Sequence, residues 1–250
     1  MKRSSQFITI EQIFWIADYL RYLWNSHSRH GTHSPFVYAL SDEVLYQKQD
    51  PACLDLIELE RSRYLGFNKS CYSLIPQRKY LSLLFRLLNW NNTYFSNFIE
   101  IGSSLGCIPT IIQEVDPSVK GITFEPILDN KKSEDSYLDE IHNQQIIVIQ
   151  DKLSLEKFQS DIQQIQSLDI VFLNDCWEKL IDQESLDFII DRLSFGGVLI
   201  INRLDTYWSQ RDIWDKLIRH KRVTANIDLF KMGMIFVRKE QQKETFILRY

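Results

Sequence analysis

The segment Phe98-Ile-Glu-Ile-Gly-Ser-Ser-Leu-Gly106 combines an acidic residue near the end of an apolar run with two glycines that follow it. Gly102 and Gly106 leave room for a ligand against the backbone, and Ile111 and Ile112 indicate a helix just beyond, whose first N–H groups would be free. The Gly-x-x-x-Gly spacing differs from the dinucleotide-binding Gly-x-Gly-x-x-Gly and from a phosphate-binding P-loop. The loop therefore predicts a ligand without phosphates, such as a nucleoside; a tight strand-to-helix turn is the structural alternative.

A second acidic residue, Glu125, ends the run Gly121-Ile-Thr-Phe-Glu125 and is a candidate for the same ligand. In a doubly wound sheet, the acid that closes the second strand lies beside the glycine loop, where its carboxylate accepts both hydroxyl protons of a ribose. A solvated carboxylate at a strand end is the alternative. Asp151, after the third apolar run, is a weaker candidate for the adenine side of the pocket, and a helix N-cap is an equal interpretation.

From residue 91 onward, short apolar runs alternate with polar helical stretches, which is the pattern of βαβ units. Five runs predict buried parallel strands: Phe98–Ile101, Gly121–Phe124, Gln145–Ile149, Leu168–Leu173 and Val198–Ile201. The stretches Gln183–Leu193 and Gln210–His220 suit crossover helices. The runs Val223–Phe230 and Met234–Arg238 flank Lys231-Met-Gly233 and predict an antiparallel hairpin that closes one edge of the sheet.

The predicted fold class is therefore α/β, a Rossmann-like doubly wound sheet, mostly parallel, with an antiparallel C-terminal hairpin and an N-terminal helical extension. Residues 1–90 form this extension, or lid, and residues 91–250 form the sheet domain. The first helix places five apolar residues at helical spacing: Ile13, Ile16, Ala17, Leu20 and Trp24. We expect this face to pack on the main domain, with a membrane-surface or homodimer face as alternatives. A second helix, Tyr80–Leu88, shows one apolar stripe.

Composition restricts the class of protein and of partner. The 250 residues are 44% hydrophobic and 25% charged, which is average for a globular chain. The net charge of -4 gives no long-range attraction for nucleic acid, so a free small molecule is the expected partner. The four cysteines lack the close pairs of a zinc or redox site, and no apolar run reaches the roughly 18 residues of a membrane span. We expect a cytoplasmic protein.

Three stretches carry a family resemblance: Arg29-His-Gly-Thr-His-Ser-Pro-Phe-Val37, the Glu100–Gly106 loop with Glu125, and Arg222–Phe230 continuing through Gly233 to Arg238. Together they resemble a family of bacterial class I S-adenosylmethionine-dependent methyltransferases, common in Bacteroidetes and similar to small O-methyltransferases. The resemblance implies a sheet with an antiparallel last strand and S-adenosylmethionine over the loop at Gly102. The cofactor-binding residues predicted on this basis are Glu100, Gly102, Ser103, Ser104, Gly106, Glu125, Asp151 and Asn174.

Two strand ends depart from the pattern of these relatives. Where relatives carry a sequence like Phe-Ile-Asp-Gly-x-His, this chain has Phe172-Leu-Asn-Asp-Cys-Trp177, so Asn174 occupies the position of the acid. Paired acids after the fifth strand are replaced by Ile201-Asn-Arg-Leu204. Because a magnesium or calcium site needs several oxygen donors that include carboxylates, we expect no metal site. Asp175 and Asp205 are the only acids well placed to take a proton from an acceptor.

These patterns predict a methyltransferase that transfers a methyl group from S-adenosylmethionine to an unidentified small-molecule acceptor, without a metal ion. The altered strand ends motivate an alternative, a catalytically degenerate protein that still binds the cofactor and serves as a sensor or interaction module. A nucleotide-binding oxidoreductase is a third hypothesis, which the glycine spacing disfavours. His30 and His33 have a ligand-like spacing, but Gly31 and Pro35 argue against a helix there, so a structural loop is the simpler interpretation.

Overall fold

A computed structural model describes residues 10–28, 33–59, 76–90, 95–102, 104, 106–125, 146–150, 155–162, 165–174, 177, 181–202, 204, 208–239 and 241–250. The strands are β1 (Asn97–Ile101), β2 (Lys120–Glu125), β3 (Ile146–Gln150), β4 (Leu168–Leu173), β5 (Leu193–Asn202), β6 (Ala225–Asp228), β7 (Met232–Phe236) and β8 (Glu244–Ile247). They form one sheet in the order β3-β2-β1-β4-β5-β7-β6-β8. Pairing is parallel from β3 to β5 and antiparallel at β5–β7 and β7–β6.

The helices lie before and between these strands. They are α1 (Ile10–Asn25), α2 (Pro35–Leu40) with a π-helical continuation (Ser41–Leu45), α3 (54–59), α4 (Arg78–Leu88), α5 (Cys107–Val115), α6 (Leu155–Asp161), α7 (Gln183–Arg192) and α8 (Trp208–Leu217). Among the described residues, none of these helices combines the length and the apolar character that a bilayer crossing requires. The predicted Rossmann-like α/β fold, mostly parallel with antiparallel strands near its C-terminal end, is confirmed.

Each face of the sheet has its own hydrophobic core, because successive strand residues point to opposite sides. Phe98 and Phe172 belong to the core that α2, α4 and α5 cover, whereas Ile99 and Val171 belong to the core beneath α6, α7 and α8. The first core also includes Val37 and other residues before position 90, so the N-terminal helices and the sheet share one packed interior.

Helix α4 is more deeply buried than a single apolar stripe predicts. Every side chain from Tyr80 to Leu88 is buried, including that of Arg86. The Arg86 guanidinium donates to the carbonyls of Val44 (2.7 Å) and Gln49 (3.1 Å) and to the hydroxyl of Tyr250 (3.0 Å), which satisfies its charge inside the protein. The helix therefore lies between the sheet and the segment that follows α2.

The C-terminal strands differ from the sequence-based prediction in two ways. Met232 and Gly233 belong to β7, so the link of the hairpin is Leu229–Lys231 rather than Lys231–Gly233. The hairpin also does not close the sheet, because β8 pairs in parallel with β6 and forms the edge. The short run Glu-Thr-Phe-Ile of β8 begins with two polar residues, which gives it a weak strand signal.

The predicted packing face of α1 is wrong. The predicted apolar stripe faces solvent, with Leu20 59% and Trp24 89% exposed. The helix instead contacts the domain through the aromatic residues Trp15, Tyr19 and Tyr22, which follow one another at spacings of four and three residues and pack around Phe230. The packed face is therefore the one that presents these three rings to Phe230, whereas Trp24, although aromatic, lies on the exposed face.

The C-terminal residues hold α1 in place through hydrogen bonds. The buried Tyr22 hydroxyl donates to the carbonyl of Leu248 at 2.5 Å, and burial raises the pKa of Tyr22 to about 12. The Arg249 guanidinium donates to the carbonyl of Leu23 at 2.9 Å, and His27 pairs with Leu248 in an isolated parallel bridge. The N-terminal helix is thereby fixed beside the edge strand β8.

Replacing Gly121 with alanine is expected to destabilise the fold by about 1–3 kcal/mol, as overpacking usually does. The added Cβ would lie 1.9 Å from Cε1 of Phe98, in the strand that pairs with β2. Equilibrium urea unfolding measures the loss. The double variant Gly121→Ala/Phe98→Leu is expected to lose less than the sum of its single variants, since the smaller side chain makes room. Strict additivity, or a Gly121→Ala variant as stable as the wild type, would contradict this packing.

Candidate active site

The carboxyl ends of β1, β2, β4 and β5 lie at one edge of the sheet because these strands run parallel. Glu100 is paired in register with Thr123 on β2 and Phe172 on β4. Its side chain is fully buried, and one carboxylate oxygen accepts a hydrogen bond from the Thr123 hydroxyl at 3.3 Å. A carboxylate is thus held beneath the loop that follows β1.

The glycines of this loop adopt backbone conformations that other residues rarely reach. Gly102 has a φ of 86° and donates its N–H to the carbonyl of Phe124 at 2.9 Å. Gly106 has a φ of 80° and occupies the N-cap position of α5. Left-handed φ values cost an L-residue about 1–2 kcal/mol, so both positions require glycine for the turn itself.

The N-terminus of α5 has fewer free donors than the sequence predicts. Cys107 donates its N–H to the Ser104 carbonyl at 3.2 Å, and Ile108 donates to the Ser104 hydroxyl oxygen at 3.1 Å. The next residue, Pro109, has no N–H at all, and Thr110 already bonds to Gly106 within the helix. A helix whose first N–H groups are already bonded has few hydrogen-bond donors left for a phosphate. The Gly-x-x-x-Gly spacing, which differs from that of a P-loop, leads to the same expectation. The predicted cofactor role of Ser104 stays a prediction beside this capping role.

Two buried amides occupy the neighbouring strand ends where the resemblance implies acids. Asn174 follows β4 and is fully buried, and Asn202 ends β5 with 3% of its surface exposed. The Asn202 amide donates to the side-chain oxygen of Asn174 at 2.7 Å, while the Asn174 main-chain N–H donates to the carbonyl of Ile101 at 2.8 Å. The two side chains are neutral and hold each other across the parallel pair.

Six of the predicted site residues lie in the part of the chain that the structure describes, and four lie outside it. The structure brings Glu100, Gly102, Ser104, Gly106 and Asn174 to the same edge. Glu125 is the last residue of β2, as predicted, although only its backbone is described.

The remaining predicted residues, Ser103, Asp151, Asp175 and Asp205, lie outside the described residues. Arg203, at the altered end of the fifth strand, and His30, of the pair His30 and His33, lie outside them too. Within the described ranges, no cluster of three His, Cys, Asp or Glu residues suits a metal ion.

An aromatic cluster lies farther along the same edge, where the antiparallel β7 begins. Asn202 pairs with Met232, and the preceding turn contains Phe230, whose φ of 69° is unusual for a non-glycine residue. The Phe230 ring lies 5.4 Å from that of Trp15 and 5.0 Å from that of Tyr19. The Lys231 ammonium lies 5.9 Å from the centre of the Trp15 ring. This edge therefore continues from the glycine loop into an aromatic, basic surface.

The strained turn is held by its neighbours. Asp228 accepts the N–H of Phe230 at 2.7 Å and forms an ion pair with Arg211, which also donates to the Phe230 carbonyl at 2.7 Å. The Lys231 carbonyl accepts the N–H of Leu204, in the loop after β5, at 3.0 Å. This hydrogen bond joins the turn to the loop after β5 at the carboxyl edge.

Sequence reasoning placed Asn202 at a strand end of this edge but missed Thr123, the Asn174–Asn202 bond and the Trp15–Phe230 contact. A register argument could have found Thr123, because parallel neighbours at equal distance from a strand end share a face. The same argument places Asn202 beside Asn174. No local pattern indicates the contact between Trp15 and Phe230, which are 215 positions apart in the printed sequence.

Solved methyltransferases share this fold. A Podospora anserina methyltransferase bound to SAH is 12% identical, with 96% of this chain and 100% of that chain covered and a TM-score of 0.53. A Bacillus cereus O-methyltransferase in complex with SAH is 16% identical over 79% and 94%, with a TM-score of 0.50. A Geobacter sulfurreducens methyltransferase is 16% identical over 82% and 97%, at 0.50. The sequence itself matches no family profile and no curated protein, so the likeness is one of fold.

Asn202→Ala is expected to destabilise the protein by about 1–3 kcal/mol, because the buried oxygen of Asn174 loses a donor. Urea unfolding of the two single variants and of Asn174→Ala/Asn202→Ala completes a double-mutant cycle. The coupling energy should be about 0.5–3 kcal/mol, as for residues in direct contact. Additive losses would mean that the two amides do not interact.

Proposed function

We propose that the chain is an S-adenosylmethionine-dependent methyltransferase acting on a small molecule, of the bacterial family that the sequence resembles. The observation that carries the proposal is the left-handed Gly102 directly after the buried Glu100 strand, at the carboxyl edge of a sheet with the methyltransferase fold. Ligands of open α/β sheets bind at this edge, where the backbone of the first loop is accessible.

The residues present fit S-adenosylmethionine better than a phosphate-bearing cofactor. Gly102 and Gly106 lack side chains where a nucleoside would lie, and Ser104 takes up the first donors of α5 that a phosphate would need. Glu125, at the end of the adjacent strand, would hold the ribose hydroxyls. Ser103, Asp151 and Asn174 complete the proposed pocket, with Asp151 on the adenine side.

When bound, S-adenosylmethionine supplies a methyl group on a positively charged sulfur, which an oxygen nucleophile can attack. The chain's own residues position the acceptor, exclude water and remove a proton. Positioning contributes about 7–11 kcal/mol to lowering the barrier in favourable cases. For a hydroxyl acceptor, the oxygen gains the methyl group and its proton passes to a carboxylate, for which Asp175 and Asp205 are the candidates.

The acceptor would lie on the side of the edge formed by β5, β7 and α1. Trp15 and Tyr19 each keep 37% of their surface exposed beside Phe230, which provides ring faces for an aromatic or apolar molecule. Lys231 adds a positive charge to this side. The pKa of Lys79 is lowered by burial and, secondly, by the charge of Lys231. The N-terminal extension would thus act as the lid of the acceptor site.

The alternative function is cofactor binding without turnover, as a sensor or interaction module. The observation that favours it is the Asn174–Asn202 pair, in which two neutral amides bond to each other at the positions where relatives place acids. An enzyme with this pair would depend on acids farther along the loops. Methyl transfer to any acceptor, detected as S-adenosylhomocysteine formed, would exclude the alternative.

Glu125→Ala is expected to weaken the binding of S-adenosylhomocysteine by about 1–3 kcal/mol, through the loss of two charge-assisted hydrogen bonds to the ribose. Isothermal titration calorimetry measures the change, with the exposed Glu184→Ala as a control that should keep wild-type affinity. Equal affinity in wild type and Glu125→Ala would remove Glu125 from the site. If the wild type does not bind S-adenosylhomocysteine at millimolar concentration, the cofactor proposal itself is contradicted.

Activity and ligand binding are expected to be independent of divalent metal ions, because amides occupy the strand ends that should supply carboxylates. Titration with magnesium, calcium and manganese, with and without S-adenosylhomocysteine, should show no specific site, and a chelator should leave binding unchanged. A site of micromolar affinity that is lost in Asp175→Ala or Asp205→Ala would contradict this expectation. It would mean that the loop acids rebuild a metal centre.

A further inference from the structure

A cavity of about 390 Å³ lies at the amino edge of the sheet, opposite the glycine loop. Phe95, two residues before β1, and Val198, which pairs with Phe236 at the end of β7, line it. The five residues of β1 separate this edge from Gly102 by about 16 Å. The volume is within the range of small-molecule pockets, which is about 300–1,000 Å³.

Aromatic and aliphatic side chains line the cavity. Phe36 lies with its ring centre 5.6 Å from that of Trp90 and 5.1 Å from that of Phe236, and Phe95 is the fourth aromatic residue of the lining. Such rings bind a planar apolar body through their faces and edges. Ala39, also in the wall, contributes only a methyl group and leaves the space open.

The guanidinium of Arg238 at this cavity has no ion-pair partner among the described residues, and the carboxylate of Glu43 is bonded instead to the indole N–H of Trp90 at 2.6 Å. The guanidinium carbon of Arg238 lies 3.8 Å from the centre of the Phe36 ring. Within the described part of the chain, this guanidinium forms no ion pair and no hydrogen bond, whereas those of Arg86, Arg211 and Arg222 all bond to carbonyl or carboxylate oxygens. Burial lowers the pKa of Arg238.

A half-buried guanidinium favours an anionic partner, since desolvating an unpaired charge is costly. Stacking on Phe36 uses one face of the guanidinium plane and leaves its N–H fork available at the rim. That fork matches a carboxylate, which it binds with two parallel hydrogen bonds.

We propose that the cavity is a second ligand site, which binds an aromatic carboxylate of one or two rings. The ring lies among Phe36, Trp90 and Phe95, and the carboxylate pairs with Arg238. Two stretches that the cofactor does not use meet here, since Phe36 belongs to the first resembling stretch and Arg238 to the third. The site is independent of the proposed methyl transfer.

Calorimetric titration with 2-naphthoate, and with the neutral 2-naphthamide of the same shape, tests the site. The acid should bind at least about tenfold more tightly than the amide, because only the acid pairs with Arg238. Saturating S-adenosylhomocysteine should leave the affinity for naphthoate unchanged, since the two ligands occupy opposite edges. Equal affinity of acid and amide, no binding at millimolar naphthoate, or displacement by S-adenosylhomocysteine would each overturn the proposal.

Variants separate the two halves of the site. Arg238→Gln should weaken naphthoate binding about tenfold or more and leave the weak binding of naphthamide unchanged, whereas the exposed Arg219→Gln is the matched control and should change neither. Ala39→Leu fills the cavity and should weaken both ligands. Thermal unfolding and S-adenosylhomocysteine affinity verify that each variant is folded. Wild-type naphthoate affinity in folded Arg238→Gln or Ala39→Leu would overturn the proposal.

Discussion

Parallel pairing of β1 with β2 and β4 is the constraint on which the rest of the edge depends. It aligns the strand ends, so Glu100 lies beside Thr123, and the Asn174 N–H extends the ladder to the Ile101 carbonyl. A register slip of one residue would turn each of these side chains to the opposite core. The tightly packed contact between Gly121 and Phe98 fixes that register two residues below the site.

Left-handed residues then shape the edge in different ways, as Gly102 and Phe230 show. Gly102 adopts its conformation without steric cost and presents backbone to a ligand. Phe230 adopts it under strain, and bonds from Asp228 and Arg211 maintain the turn that carries its ring to α1. The first turn forms the proposed cofactor side, and the second attaches the N-terminal helix to the proposed acceptor side.

The sequence predicted what local patterns encode and missed what distant contacts decide. The run Leu168–Leu173 has the predicted bounds of β4, because β-branched residues bounded by polar ones mark a buried strand. Periodicity in α1 grouped residues by face but did not tell which face packs, since Phe230 makes that choice. Likewise the glycine spacing predicted a ligand loop, with a tight turn as the alternative, whereas the capping of α5 by Ser104 and the Asn174–Asn202 bond depend on three-dimensional neighbours.

A crystal structure of the chain grown with S-adenosylhomocysteine tests the central claim, that the glycine-loop edge is a nucleoside site, most directly. We predict the ligand over Gly102 and Gly106, with both ribose hydroxyls bonded to the carboxylate of Glu125 and the adenine toward Asp151. A ligand bound at another place, such as the amino-edge cavity beside Arg238, or a Glu125 carboxylate that does not contact the ribose, would contradict the assignment.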